Sequence, residues 1–165
     1  EYVSSETPFM VPIKKLRWKS DRQMPMHGND VIAVDARQRP VRVLKCESKS
    51  RAAFSRAVVE EAAKALDLYD GRPNPSTLAF IAKRLYEEGR DKEANVFRDL
   101  QCGAPINTEN INHLIFALAG NDPSQHLASG PRPRQKGITR ANAAIVVSHY
   151  GSFITAVYEQ YGARS

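Results

Sequence analysis

Two short runs rich in β-branched residues stand out: Asp30–Asp35 (DVIAVD) and Pro40–Cys46 (PVRVLKC), separated by the polar segment Ala36–Arg39. Runs of this kind read as strands, and a polar turn between two of them makes a hairpin. Pro40 fits the beginning of its strand, where a missing N–H is tolerated. Over 10–18 the alternation is only partial and predicts a weak strand. Past Ser50 the apolar period lengthens to that of a helix. Ser50 is the expected N-cap of a helix over 51–66, with Phe54, Ala57, Val58, Ala62, Ala65 and Leu66 on one stripe. Arg56, Glu60 and Lys64 are spaced four apart on its other face and can pair. After the loop Asp70–Pro75, a second helix starts at Ser76, turns Leu78, Ile81, Ala82 and Leu85 inward, and stops at Gly89. A third starts at Asp91, with Ala94, Phe97 and Leu100 inward and Gly103 as its stop. These two form a helical hairpin over 76–101, inserted after the first strands.

The run His113–Ala119 is too short for periodicity to separate strand from helix. Residues 120–140 hold much Gly, Pro, Ser and Arg and read as a long, mobile, basic loop. Ala143–Val147 then predicts a buried strand, and Gly151–Tyr161 an amphipathic helix. The fold class expected is α/β: a single domain over 1–165, with a small mixed sheet flanked by helices.

Composition narrows this further. The chain has 165 residues, 42% hydrophobic and 25% charged, which excludes wholesale disorder. No run of about 18 apolar residues exists, so no spanning helix is expected. Nor does the start carry a basic-then-apolar signal segment. The chain opens on Glu1 rather than Met, as a piece of a longer protein would. Cys46 and Cys102 form no disulfide framework and read as small buried hydrophobes in a reducing compartment.

The net charge of +6 favours a polyanionic partner. Its distribution says more. Lys14, Lys15, Arg17, Lys19 and Arg22 cluster first; Arg37, Arg39, Arg42, Lys45, Lys49 and Arg51 next; Arg132, Arg134, Lys136 and Arg140 last. Brought together, they would make a phosphate-binding footprint. Half of the acids fall instead between Glu60 and Asp99, so the helices there suit a protein partner better than DNA.

The candidate chemistry sits on the hairpin. Asp30 heads its first strand, and Glu47-Ser48-Lys49 closes the second. If the strands pair, Asp30 and Glu47 lie at the same end of the sheet. Glu47 and Lys49, two apart, point to one face. Two converging carboxylates repel, and a hard cation such as Mg²⁺ relieves that repulsion. Lys49 would then stand beside the metal, able to orient an attacking water or balance charge on a phosphate.

An acid, a hairpin, acid-any-Lys and then a helix is the pattern of the PD-(D/E)xK nucleases, which this chain resembles. More narrowly, Met26-His27-Gly28-Asn29-Asp30 followed by Leu44–Lys49 (LKCESK) is similar to the HamA nuclease subunits of Hachiman antiphage systems. The resemblance is strongest from residue 24 to about 66. It implies a restriction-endonuclease-like fold. It also implies that Asp30 and Glu47 ligate Mg²⁺ (or Mn²⁺), with the Ser48 backbone carbonyl as a further ligand, and that Lys49 positions the nucleophilic water. His27 and Arg51, with Arg132, Arg134, Lys136 and Arg140, would contact nucleic acid. The function implied is hydrolysis of DNA phosphodiester bonds in the cytoplasm, as the cutting subunit beside a helicase partner. Many members of the superfamily carry a further acid on a helix before the Asp strand. Here Glu1 and Glu6 precede it near the start of the chain, in a segment without a helical pattern. Two other functions remain open from the residues alone. One is a catalytically inactive nucleic-acid-binding domain; the other is a protein-interaction module built on the helical hairpin.

Overall fold

The structure, a computed structural model, describes residues 2–13 and 30–162. His27, Trp18 and the basic cluster from Lys14 to Arg22 lie outside the described residues.

The two β-branched runs pair as expected. Strands β1 (Val31–Asp35) and β2 (Arg42–Arg51) are antiparallel, with Val31 opposite Cys46 and Asp35 opposite Arg42. β2 then pairs in parallel with β3 (Ile111–Ala119), and β3 in parallel with β4 (Thr139–Val146), giving the sheet order β1-β2-β3-β4. The apolar run around His113 is therefore the second inner strand. Parallel neighbours need long crossovers. The one between β2 and β3 carries the helices α2 (Arg56–Asp67), α3 (Pro75–Glu87) and α4 (Asp91–Cys102).

The α3–α4 hairpin follows the sequence reading closely. Asn74 caps α3 by accepting the Ser76 N–H at 2.8 Å, one residue earlier than expected. Leu78, Ile81, Ala82 and Leu85 pack with Ala94 and Phe97 against Ile32, Val34 and Val43 of the hairpin strands. Each of the Leu, Ile, Val and Phe side chains taken from water here contributes roughly 1.5–3 kcal/mol.

Three boundaries differ from expectation. β2 continues through Arg51, because β3 offers it ladder partners as far as Ala119. The helix therefore begins at Arg56 behind Ser55, not at Arg51 behind Ser50, and its buried stripe is Val59, Ala62, Ala63 and Leu66. Phe54 fills the space under the strand–helix turn, and Asn121 clamps that turn. The Asn121 carboxamide accepts the Phe54 N–H at 2.6 Å and donates to the Phe54 carbonyl at 3.1 Å. The second difference is in 120–140, which contains a helical turn, α5 (Ser124–Ala128), buries Leu127 and Ile138, and ends as the start of β4. The third is β4, which is an edge strand with Ile145 and Val146 about half exposed rather than a buried one. Among the described residues no strand pairs with its outer side.

The face of the sheet away from α2 is covered by the N-terminal segment. A short helix, α1 (Tyr2–Glu6), does form there, contrary to the sequence reading, and Val3 and Phe9 pack on Ala33, Leu44, Cys46 and Leu114. Met10 bridges to Val34 of β1. Cys46 is buried, as expected, whereas Cys102 at the end of α4 is exposed. The last helix, α6 (Tyr150–Gly162), is hung from the carboxyl end of the sheet. There the Tyr150 hydroxyl meets the Ser50 hydroxyl at 2.6 Å.

Candidate active site

Side chains of β2 alternate, so Val43, Lys45, Glu47 and Lys49 form one row, with Val43 under the α3–α4 hairpin and Lys45 and Lys49 bonded to the α2 region. The row runs from fully buried to the rim of the sheet. Val43 belongs to the hydrophobic core. Lys45 has no exposed surface. Glu47 and Lys49 keep 12% and 14% of their side-chain surface exposed, enough to be reached at the strand's end.

Asp30, Glu47 and Lys49 come together there. Asp30 directly precedes Val31, whose partner is Cys46, so the register puts Asp30 opposite Glu47. Its carboxylate accepts the Ser48 N–H at 2.9 Å, which ties the opening of one strand to the close of the other. The Lys49 ammonium lies 3.0 Å from the Glu47 carboxylate and 2.8 Å from that of Glu61 on α2. Sequence reasoning missed Glu61. Its one signal was negative: Glu60 has the i,i+4 partner Arg56 at 2.9 Å, whereas its neighbour has no such pairing along the helix.

Electrostatics follow from this crowding. Burial raises the Glu47 carboxyl above its ordinary value; Asp30 and Glu61 add to the rise and Lys49 opposes it. Burial pulls the Lys49 ammonium down, but its bonds to Glu61 and Glu47 outweigh that and leave it raised. Glu61 is held low, first by its bond to Lys49. The site thus presents a fixed ammonium beside two carboxylates that repel each other.

Among the described residues no three His, Cys, Asp or Glu side chains gather around one cation-sized point. Two carboxylates still fit Mg²⁺, which keeps several waters and is commonly held by one or two carboxylates with substrate phosphate completing its shell. Glu6, which precedes Asp30 in the chain, is exposed at the end of α1.

The remaining expected residues divide. Arg51 ends β2, exposed, and donates to the Ser50 carbonyl rather than opening a helix. Arg132, Arg134 and Lys136 are exposed on the segment that passes the carboxyl end of α2. Arg140 is not with them. Its side chain is only 5% exposed and pairs with Asp67 at 2.6 Å, because β4 begins there and turns it under the helix. Lys45 also leaves the expected basic surface: its ammonium donates to the Leu66, Leu68 and Arg72 carbonyls at 2.8–3.0 Å. Arg42 bonds Asn112 and lies over the Phe9 ring, and Arg37 pairs with Asp35.

The family model HamA matches residues 1–147 of this chain. The chain belongs to the HamA family. The Hachiman protein HamA of Bacillus cereus is 34% identical over 118 residues, which cover 70% of this chain and 41% of that protein. The HamA match takes in all four strands and stops short of α6. This chain spans less than half the length of that HamA relative. No helix among the described residues is long and apolar enough to cross a membrane.

Proposed function

We propose that this chain is a metal-dependent nuclease of the PD-(D/E)xK kind, cutting DNA as the effector subunit of a Hachiman system in the cytoplasm, beside a helicase partner. The observation that carries the reading is the convergence of Asp30, Glu47 and Lys49 on one face at one end of the hairpin, with Lys49 within 3.0 Å of Glu47. Asp30 and Glu47 would hold Mg²⁺ or Mn²⁺, with the Ser48 carbonyl as a third protein oxygen. The ion supplies charge neutralisation for a phosphoryl centre and its leaving oxygen. Lys49 has three N–H donors, two of them engaged by Glu47 and Glu61. The third can point an incoming water in line with the scissile P–O bond. The water oxygen forms the new bond to phosphorus while giving up a proton to solvent, the bond from phosphorus to the departing oxygen breaks, and that oxygen takes a proton from solvent. Exposed Arg51, Arg132, Arg134 and Lys136 would meet the DNA backbone.

The test is cleavage of plasmid DNA with and without Mg²⁺, in the wild type and in Glu47→Ala and Lys49→Ala. Metal-dependent loss of the supercoiled form in the wild type alone is expected. Calorimetric titration should show the metal bound by the wild type and by Lys49→Ala but not by Glu47→Ala. Equal cleavage by Lys49→Ala would sink the role given to that residue. The absence of a third clustered ligand among the described residues favours a second reading, an inactive nucleic-acid binder on the same fold. DNA bound without metal-dependent cleavage would select it.

A further inference from the structure

We infer that Glu61 is the positioning residue of this site: from α2 it holds the Lys49 ammonium over the end of β2. The inference rests on the nuclease reading and adds a residue to it from outside the hairpin.

Lysine ends in a flexible four-carbon stem, and an unrestrained ammonium samples many positions. Lys49 has two acceptors, Glu47 at 3.0 Å and Glu61 at 2.8 Å. They differ in kind. Glu47 sits on the same strand, two residues away, and its carboxylate is also needed beside Asp30. Glu61 bonds Lys49 from α2 and also feels the Arg51 charge at the end of β2, while its neighbour Glu60 takes Arg56. The anchor is rigid. On either side of Glu61, Val59, Ala62 and Ala63 are at most 1% exposed and pack on Ile115 and Ala117 of β3. Glu61 itself is 55% exposed, so it is not there to fill the core. A solvent-facing carboxylate on a fixed helix, aimed at a nearly buried ammonium, orients that ammonium at little cost to packing.

Two substitutions and two readouts test this. Gln keeps an oxygen that can accept from the ammonium; Ala keeps nothing. In cleavage assays Glu61→Ala should lose about tenfold to a hundredfold in kcat with KM little changed, because misplacement of a reacting group is costly. Glu61→Gln should stay within about threefold of the wild type, since a bond from a charged donor survives. The second readout needs no turnover. In protein labelled with ¹⁵N at lysine side chains, the Lys49 ammonium should give a sharp, slowly exchanging NMR signal. That signal should persist in Glu61→Gln and vanish in Glu61→Ala, with or without Mg²⁺. Glu61→Ala cleaving as fast as or faster than the wild type, Glu61→Gln falling as far as Glu61→Ala, or an unchanged ammonium signal in Glu61→Ala would each overturn the inference. A wild type that never cleaves DNA would overturn the nuclease reading instead, and the ammonium signal would still report whether Glu61 holds Lys49.

Discussion

A lysine with no exposed surface must have its ammonium satisfied from within, and Lys45 finds three carbonyls at the carboxyl end of α2. Leu66 lies in the last turn of α2, where carbonyls have no partner inside the helix, Leu68 and Arg72 lie just beyond it, the Leu68 carbonyl being shared with the Gly71 N–H, and a cation there also suits the helix dipole. Lys45→Met should therefore leave buried acceptors unpaired and cost about 3 kcal/mol, read as a lower urea midpoint. His113, on the neighbouring strand, meets the Gly71 carbonyl through Nε2 at 2.8 Å and Arg140 through Nδ1 at 3.1 Å. A carbonyl needs a donor, so Nε2 carries the proton and Nδ1 accepts from the guanidinium. Gly71 has φ +76°, and a Cβ there would run into Ile138, so the close approach of this turn to the imidazole requires glycine. Burial, with Arg140 and Lys45 adding to it, lowers His113 to about 4 from 6.5. Between those values the unfolded chain takes up a proton that the folded one refuses. Stability is then complete above pH 6.5 and declines as pH falls toward 4, by about 3 kcal/mol over the full window. Denaturation of the wild type and of His113→Gln at pH 7 and pH 4.5 checks the sign. The wild type should lose about 2–3 kcal/mol more than the variant.

At the scale of elements, local chemistry made the hairpin, the α3–α4 pair and the acid–acid–lysine face legible in the sequence. Their signals, β-branched runs, an apolar stripe and alternation, act over a few residues. What was not legible depends on partners distant in the chain. β2 outran its expected end because β3, more than sixty residues later, continues the ladder to Arg51. That extension delayed α2 and rotated its inward stripe from Ala57 and Val58 toward Val59 and Ala63. Glu61 could be matched to Lys49 only once that rotation was fixed. The Asn121 clamp is likewise a long-range feature, joining Phe54 to a residue 67 positions on. Asn121→Ala should free both backbone groups of Phe54 and cost about 1–2 kcal/mol, with faster hydrogen exchange at the start of α2 as the local signature.

For the molecule as a whole, the sum of charge misleads and its placement decides. The net charge of +6 includes Lys45 and Arg140, both spent inside. Of the late basic cluster, Arg132, Arg134 and Lys136 remain exposed. They pass Asp67, six residues beyond Glu61 on α2, or about 9 Å along the helix at 1.5 Å per residue. Duplex DNA laid across the proposed cutting site would reach them within a few phosphates. Replacing the three with Gln should flatten the salt dependence of DNA binding by up to about three units, at roughly 0.9 for each phosphate no longer neutralised. Arg140→Gln should leave that slope alone and lower the melting temperature, because it strips Asp67 of its buried partner. A flattened slope in Arg140→Gln would contradict its inward placement.

The two thiols of this chain are set in opposite circumstances. Cys102 faces solvent at the end of α4, while Cys46 lies between Lys45 and Glu47 on the other side of β2, and burial pushes it up to about 12. A thiol-modifying reagent will therefore label Cys102 at once and Cys46 only when the sheet opens beneath the acids and the lysine. With Cys102 replaced by Ser, the labelling rate of Cys46 becomes a clock for that opening, and cations or DNA that grip Asp30, Glu47 and Lys49 should slow it.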